Sequence, residues 1–163
     1  IEMKKYKEAE QILKEGIQIC KTIDEKILLC AIYLNLTEIY VKTNDLEKAG
    51  YYVIEALKIA ETTKTPEDLV GAYTSYANVL GKLKKFEKAK EFLRKAEDIT
   101  KKINLKRHYG TYYEAYATLL KESGNIEESK DYFSKAKEIY RELDNRAAIK
   151  RIDETLQSVD SKQ

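Results

Sequence analysis

The feature that most constrains this chain is an internal period of forty residues. Tyr33, Tyr73 and Tyr113 recur at that spacing, and the same shift superimposes Leu36, Tyr76 and Tyr116, then Tyr40, Leu80 and Leu120. A second set follows in each unit: small Ala49, Ala89 and Ser129; large Val53, Leu93 and Phe133; small Ala56, Ala96 and Ala136; and Ile59, Ile99 and Ile139. Such self-similarity marks stacked units, none of which buries its apolar face alone. Carried backward, the columns reach Tyr6, Ala9, Leu13, Gly16 and Ile19, so the sequence opens on half a repeat.

Within each unit the apolar positions step by three or four, as in Leu29, Tyr33, Leu36 and Tyr40, which is helical rather than strand spacing. A single proline and six glycines leave too little turn chemistry for an all-β fold. Asn44-Asp45, Lys84-Lys85 and Gly124-Asn125 fall at one turn position, where a positive φ suits Asn44 and Gly124 and suits Lys84 least. Thr65-Pro66-Glu67-Asp68 reads as an N-cap, a proline at the first helical position and acids in the first turn. The spacing predicts eight helices, at about 5–22, 24–42, 45–62, 66–83, 86–103, 106–122, 126–142 and 145–159. Short connections make successive helices antiparallel neighbours. The expected architecture is an all-α solenoid in one domain over 1–163: a half repeat at 1–23, full repeats at 24–63, 64–103 and 104–143, and a capping helix at 144–160.

These residues resemble the tetratricopeptide (TPR) repeats, in a forty-residue variant of the common unit. The family's succession of aromatic, Leu-Gly-like pair, Tyr, small residue, aromatic and Ala is met by Tyr33, Leu36-Thr37, Tyr40, Ala49, Val53 and Ala56. The next unit offers Tyr73, Tyr76-Ala77, Leu80, Ala89, Leu93 and Ala96, and the third Tyr113, Tyr116-Ala117, Leu120, Ser129, Phe133 and Ala136. Tryptophan is absent, Thr or Ala replaces the glycine, and no proline closes a unit. The resemblance implies a right-handed superhelix whose first helices line an inner groove that binds an extended peptide or another protein. The groove positions it implies are Asn35, Glu38 and Lys42, then Thr74, Asn78 and Lys82, then Glu114, Thr118 and Lys121. Asn35 and Asn78 are the most informative, since an amide both donates to and accepts from a peptide backbone. Relatives that clamp chaperone-tail carboxylates use Lys, Asn, Asn, Lys and Arg, but this chain has Leu34, Glu38, Ser75, Thr111 and Ala115 at the matching positions. That ligand is excluded.

Chemistry is not indicated, and no cofactor is expected. There is no Gly-rich phosphate loop and no metal-binding helix motif, and the single histidine, His108, sits at a predicted helix start without a nucleophile nearby in sequence. Cys20 and Cys30 lack the further ligands a zinc site needs and are expected to be free, packed thiols. With 30 basic and 28 acidic side chains the net charge is +2, so bulk charge points to neither nucleic acid nor an anionic membrane. The clusters Lys82-Leu83-Lys84-Lys85 and Lys101-Lys102 with Lys106-Arg107 fall at successive turns at opposite ends of the helices, where a solvated, dipole-complementing role is expected rather than a phosphate-binding stripe. No apolar run is long enough for a membrane span and no signal-peptide core opens the chain, so a cytoplasmic location is expected. The opening at Ile1 rather than Met is that of an excised segment.

Of the thirteen tyrosines, Tyr33, Tyr52, Tyr73, Tyr76, Tyr113, Tyr116 and Tyr132 fall in core columns. Tyr51, Tyr109, Tyr112 and Tyr140 are less determined by the columns, and a surface role is open to them. In the last helix Asp153 replaces the repeated tyrosine while Ile149, Ile152, Leu156 and Val159 keep the inward face, as in a terminal cap. The first helix has no partner before it, and weak self-association through that end is expected. Two functions remain open: a static interaction scaffold, and a peptide- or ligand-sensing regulatory domain of a larger protein. The second follows from a likeness to the C-terminal regions of Gram-positive peptide-pheromone regulators.

Overall fold

The computed structural model describes residues 2–160, with side chains from Met3 to Ser158. Val159, expected on the inward face of the last helix, lies outside the described side chains. The described residues form eight helices: α1 (Glu2–Thr22), α2 (Lys26–Lys42), α3 (Leu46–Thr63), α4 (Pro66–Lys82), α5 (Phe86–Ile103), α6 (Lys106–Glu122), α7 (Ile126–Glu142) and α8 (Arg146–Asp160).

Left-handed residues end the helices at a fixed interval. Asp24, Asn44, Lys64, Lys84, Asn104 and Asp144 have φ between 48° and 60°, and Gly124 has φ 89°. These positions are twenty residues apart, so the forty-residue repeat is built from two helix-and-turn modules of equal length. After five of the helices the third residue past the end donates back to the last turn, as in Asp45 to Tyr40 (2.8 Å), Lys85 to Leu80 (2.8 Å) and Asn125 to Leu120 (2.9 Å). Ahead of α4, Thr65 occupies the N-cap with Pro66 behind it, but its side chain makes no capping bond.

Helices α2, α4 and α6 pair with α3, α5 and α7, and α4 also packs on α2 and α6, whereas α3, α5 and α7 do not touch one another. The side on which neighbours touch is the inner side of the curve. The small columns permit this approach: Ala49, Ala56, Ala89, Ala96 and Ala136 are fully buried. Ser129 keeps its place in that series because its hydroxyl donates to the Ala117 carbonyl at 2.8 Å.

Each pair is fastened by one ring of its second helix lying against two rings of its first. Tyr52 meets Tyr33 and Tyr40, with centroids 5.7 and 5.5 Å away. Phe92 meets Tyr73 and Tyr76 at 5.7 and 4.7 Å, and Tyr132 meets Tyr113 and Tyr116 at 5.9 and 4.7 Å. Such contacts add about 0.5–1.5 kcal/mol each beyond area burial.

Two of the tyrosines that the columns leave undetermined belong to the core. Tyr112 and Tyr140 are buried, and burial raises the pKa of both phenols. Tyr140 fits because residue 110 is glycine: a Cβ there would lie 2.9 Å from Tyr140 Cε1 and 3.1 Å from Ile139 Cγ2. The preceding repeat has Val70 and Thr100 at the corresponding positions, so bulk has moved from one helix of the pair to the other. Gly110→Val should therefore cost about 1–3 kcal/mol in chemical denaturation, and clearly less in a Tyr140→Thr background. Equal losses in both backgrounds would refute the size exchange.

Candidate functional site

The inner wall is made by α2, α4, α6 and α8, and the chain curls until its ends face each other. Tyr6 of α1, Lys42 of α2, and Arg151, Glu154 and Ser158 of α8 share the lining of one cavity of about 470 Å³. The first two helices and the last thus share one open cavity on the concave side.

Sequence reasoning placed nine residues on this wall, and the structure treats them differently. Asn35 is exposed on α2. Glu38 and Lys42 pair with each other at 2.8 Å, one turn apart. Thr74 does not offer a groove contact: it is 4% exposed and its hydroxyl donates to the Val70 carbonyl at 2.8 Å. Thr118 is half-buried and donates to the Glu114 carbonyl at 2.8 Å. Both threonines satisfy themselves on the preceding turn, as mid-helix threonines do. Lys121 is half-buried on the last turn of α6.

The charges form cross-helix pairs that sequence reasoning did not find. Lys82 of α4 meets Glu122 of α6 at 2.6 Å. Glu114 receives Arg151 through two bonds, Nε to Oε1 at 2.7 Å and Nη2 to Oε2 at 2.8 Å, and also the Tyr140 hydroxyl at 2.9 Å. Hydrogen bonding to Glu114 raises the Arg151 pKa further above its ordinary value. Arg151 also lies within electrostatic reach of Glu38 and Lys42, so it links the last helix to both the third repeat and the first. A signal for one pair was present: Lys82 and Glu122 are forty residues apart and occupy one column with opposite charges.

Asn78 stands at the middle of the wall, and its buried Oδ1 has no hydrogen-bond partner. A buried carbonyl without a donor costs about 1–3 kcal/mol.

Elsewhere the chemistry is inert. His108 is buried at the start of α6, accepts from Arg107 Nε at 3.2 Å, and has its pKa lowered by burial and then by Arg107. In the basic clusters Lys101 pairs with Glu97 at 2.8 Å and Lys106 with Glu142 at 2.6 Å. Among the described residues no group of three or more His, Cys, Asp or Glu could hold a metal, and no helix is long and apolar enough to cross a membrane. Cys20 and Cys30 are free and buried; Cys30 Sγ lies 3.6 Å from the Ala56 carbonyl, and burial pushes its pKa up to about 12.

The fold and its channel define a helical-repeat solenoid. Residues 68–142 match the family model of the tetratricopeptide repeat, and that stretch of the chain is tetratricopeptide repeat. Among solved structures, the crystal structure of BtubC (BKLC) from P. vanneervenii is similar, with TM-score 0.63 and 22% identity over 92% of this chain. Identity at that level shows likeness of fold alone, and this chain spans 62% of the length of that one. No curated protein matches the sequence.

Since the thiolate is the reacting form and neither sulfur is open to solvent, a thiol reagent at neutral pH should label both cysteines only as fast as the chain opens. Following aromatic thiol release with and without denaturant checks this. Rapid labelling of Cys30 in the native protein would show that α2 and α3 separate locally.

Proposed function

We propose that this chain is a protein-interaction module that takes an extended segment of another protein along its concave channel, with Asn78 at the centre of recognition. The observation that carries the reading is the combination of paired charges with an unpaired amide. Glu38 with Lys42, Lys82 with Glu122 and Glu114 with Arg151 leave the wall locally neutral, so a strongly charged tail finds no unmatched counter-charge there. A polypeptide backbone, which presents N–H and C=O groups in alternation, suits Asn78 and the exposed Asn35 better. The tetratricopeptide repeats and the solenoid fold support an interaction role of this kind, and nothing in the site supplies a nucleophile or an activated base.

A sensing role is favoured by one specific feature. Arg151 of α8 is held by Glu114 while facing Glu38 and Lys42, so a ligand entering between them would change the separation of the two ends. In that reading the module reports occupancy to an attached effector through its curvature.

The test is a screen of the chain against an immobilised random-peptide library, followed by calorimetry on variants with the best ligand. Asn78→Ala should lower affinity by about 5- to 150-fold, the equivalent of about 1–3 kcal/mol for a lost buried hydrogen bond. Lys82→Ala should lower it less, since that ammonium is already engaged by Glu122. Equal and negligible losses for both would place the partner on the convex face or the turns. Small-angle scattering of free and bound chain separates the two roles: an unchanged radius of gyration supports the scaffold, a changed one the sensor.

A further inference from the structure

The outer faces of α1, α3, α5 and α7 turn away from the helices they pack on, and the repeat allows them to be compared position by position. In α1, α5 and α7 the middle of that face is polar: Gln11, Glu91 and Asp131 share one column, Lys14, Arg94 and Ser134 the column three residues on, and all six are exposed. Helix α3 departs from them. At the same two positions it carries Tyr51, 59% exposed, and Ile54, 42% exposed. The departure lies inside the stack, because α3 is packed between α2 and α4 while the polar residues of α1 keep the common pattern.

Tyr51 and Ile54 belong to a seam. Glu47, Tyr51, Ile54, Lys58 and Glu61 follow one another at steps of four, three, four and three, the alternation that holds side chains on one stripe facing a partner helix, and all five are exposed. The Tyr51 ring is steadied from beneath by Tyr52, edge-on with centroids 5.1 Å apart. Beside the seam lies Gly50, where a Cβ would meet nothing within 4 Å. Glycine within a helix is destabilising relative to alanine, and no packing among the described residues requires it here; the other helices have Glu10, Lys90 and Lys130 in that column. A glycine at this place leaves room for a side chain that comes from outside the chain.

The order of residues along the seam selects the occupant. We propose that α3 pairs antiparallel with α3 of a second copy of this chain, about a two-fold axis between Tyr51 and Ile54. In that register each Tyr51 lies level with the partner's Ile54 and each Glu47 level with the partner's Lys58, so the apolar and the charged positions are both self-complementary. A parallel pair would instead set Glu47 level with the partner's Glu47 and Lys58 level with the partner's Lys58. In the single chain Lys58 is held by Glu55 at 2.5 Å, an exposed pair within one turn that is readily exchanged. One helix pair is smaller than the interface of a permanent dimer, so the association is weak and depends on concentration. It uses the side of α3 turned away from the concave wall, and it does not rest on the reading of Asn78.

Sedimentation equilibrium of the full chain over a concentration series should show a monomer–dimer equilibrium with a dissociation constant between micromolar and millimolar. Ile54→Glu should raise that constant about tenfold or more with the helical circular dichroism kept, and Ile54→Ser is the milder replacement if it is not. Reversing one charge, Glu47→Lys or Lys58→Glu, sets like charges level with each other and should weaken the dimer several-fold. Both reversals in one chain should restore it, which a contact in another register would not do. A strict monomer up to millimolar concentration would overturn the proposal and leave the seam to another partner. A dimer indifferent to both Ile54 variants, or one that dissociates with Ile12→Glu instead, would overturn it by placing the contact elsewhere, and failure of the double reversal to restore association would overturn the antiparallel pairing.

Discussion

Close approach between helix backbones is the constraint on which the rest of the solenoid depends. Ala49, Ala56, Ala89, Ala96 and Ala136 are fully buried, and where they sit the paired helices come near enough for one ring to lie against two. Neither element works without the other: larger residues in the small columns would push the rings apart, and smaller groups in the ring columns would leave voids between the helices. The third repeat keeps the rule by exchange, with Gly110 giving up volume that Tyr140 takes. Because Tyr140 also bonds Glu114, and Glu114 holds Arg151, the position of the last helix is tied to the size of one side chain in the middle of the third repeat.

The architecture was legible in the sequence because its period is carried by tyrosines and alanines, which the eye and the physics both separate from a charged background. The turns were legible only where the residue type announced a positive φ. Asn44 and Gly124 did so and brought Lys84 with them by column, whereas Asp24, Lys64, Asn104 and Asp144 at the other turns adopt a positive φ as well, and the regular interval of twenty went unread. Tyr112 and Tyr140 stayed undetermined because burial depends on a neighbour's volume across the helix pair, which a column by itself does not reveal. The candidate channel was legible as a set of positions and not as chemistry. Thr74 is taken out of it by its own helix, and the fate of Glu114 is decided by Arg151, 37 residues away.

The charge pairs of the inner wall also explain why the chain can curl as tightly as it does. Helices on the inside of a curve bring their polar faces together, and unmatched charge there would repel more strongly as water is squeezed out. Lys82 with Glu122 neutralises the wall between the second and third repeats, and Arg151 with Glu114 carries neutrality to the last helix. Ligand recognition on such a surface has to work with hydrogen bonds and shape, because most of the charge is already matched within the protein.

The first and last described helices are held to the stack by different contacts. Helix α8 turns Asp153 toward Lys137 and Arg151 toward Glu114, so polar pairs hold it. At the N-terminal end, α1 is held to α2 by buried Ile17 and Cys20 and by the Tyr40 hydroxyl on Glu10 at 2.7 Å. That bond and Lys14 hold the Glu10 carboxyl below the usual carboxylate range. Since the unfolded carboxyl binds a proton more readily, this anchor contributes stability at neutral pH and loses it as pH falls through the carboxylate range.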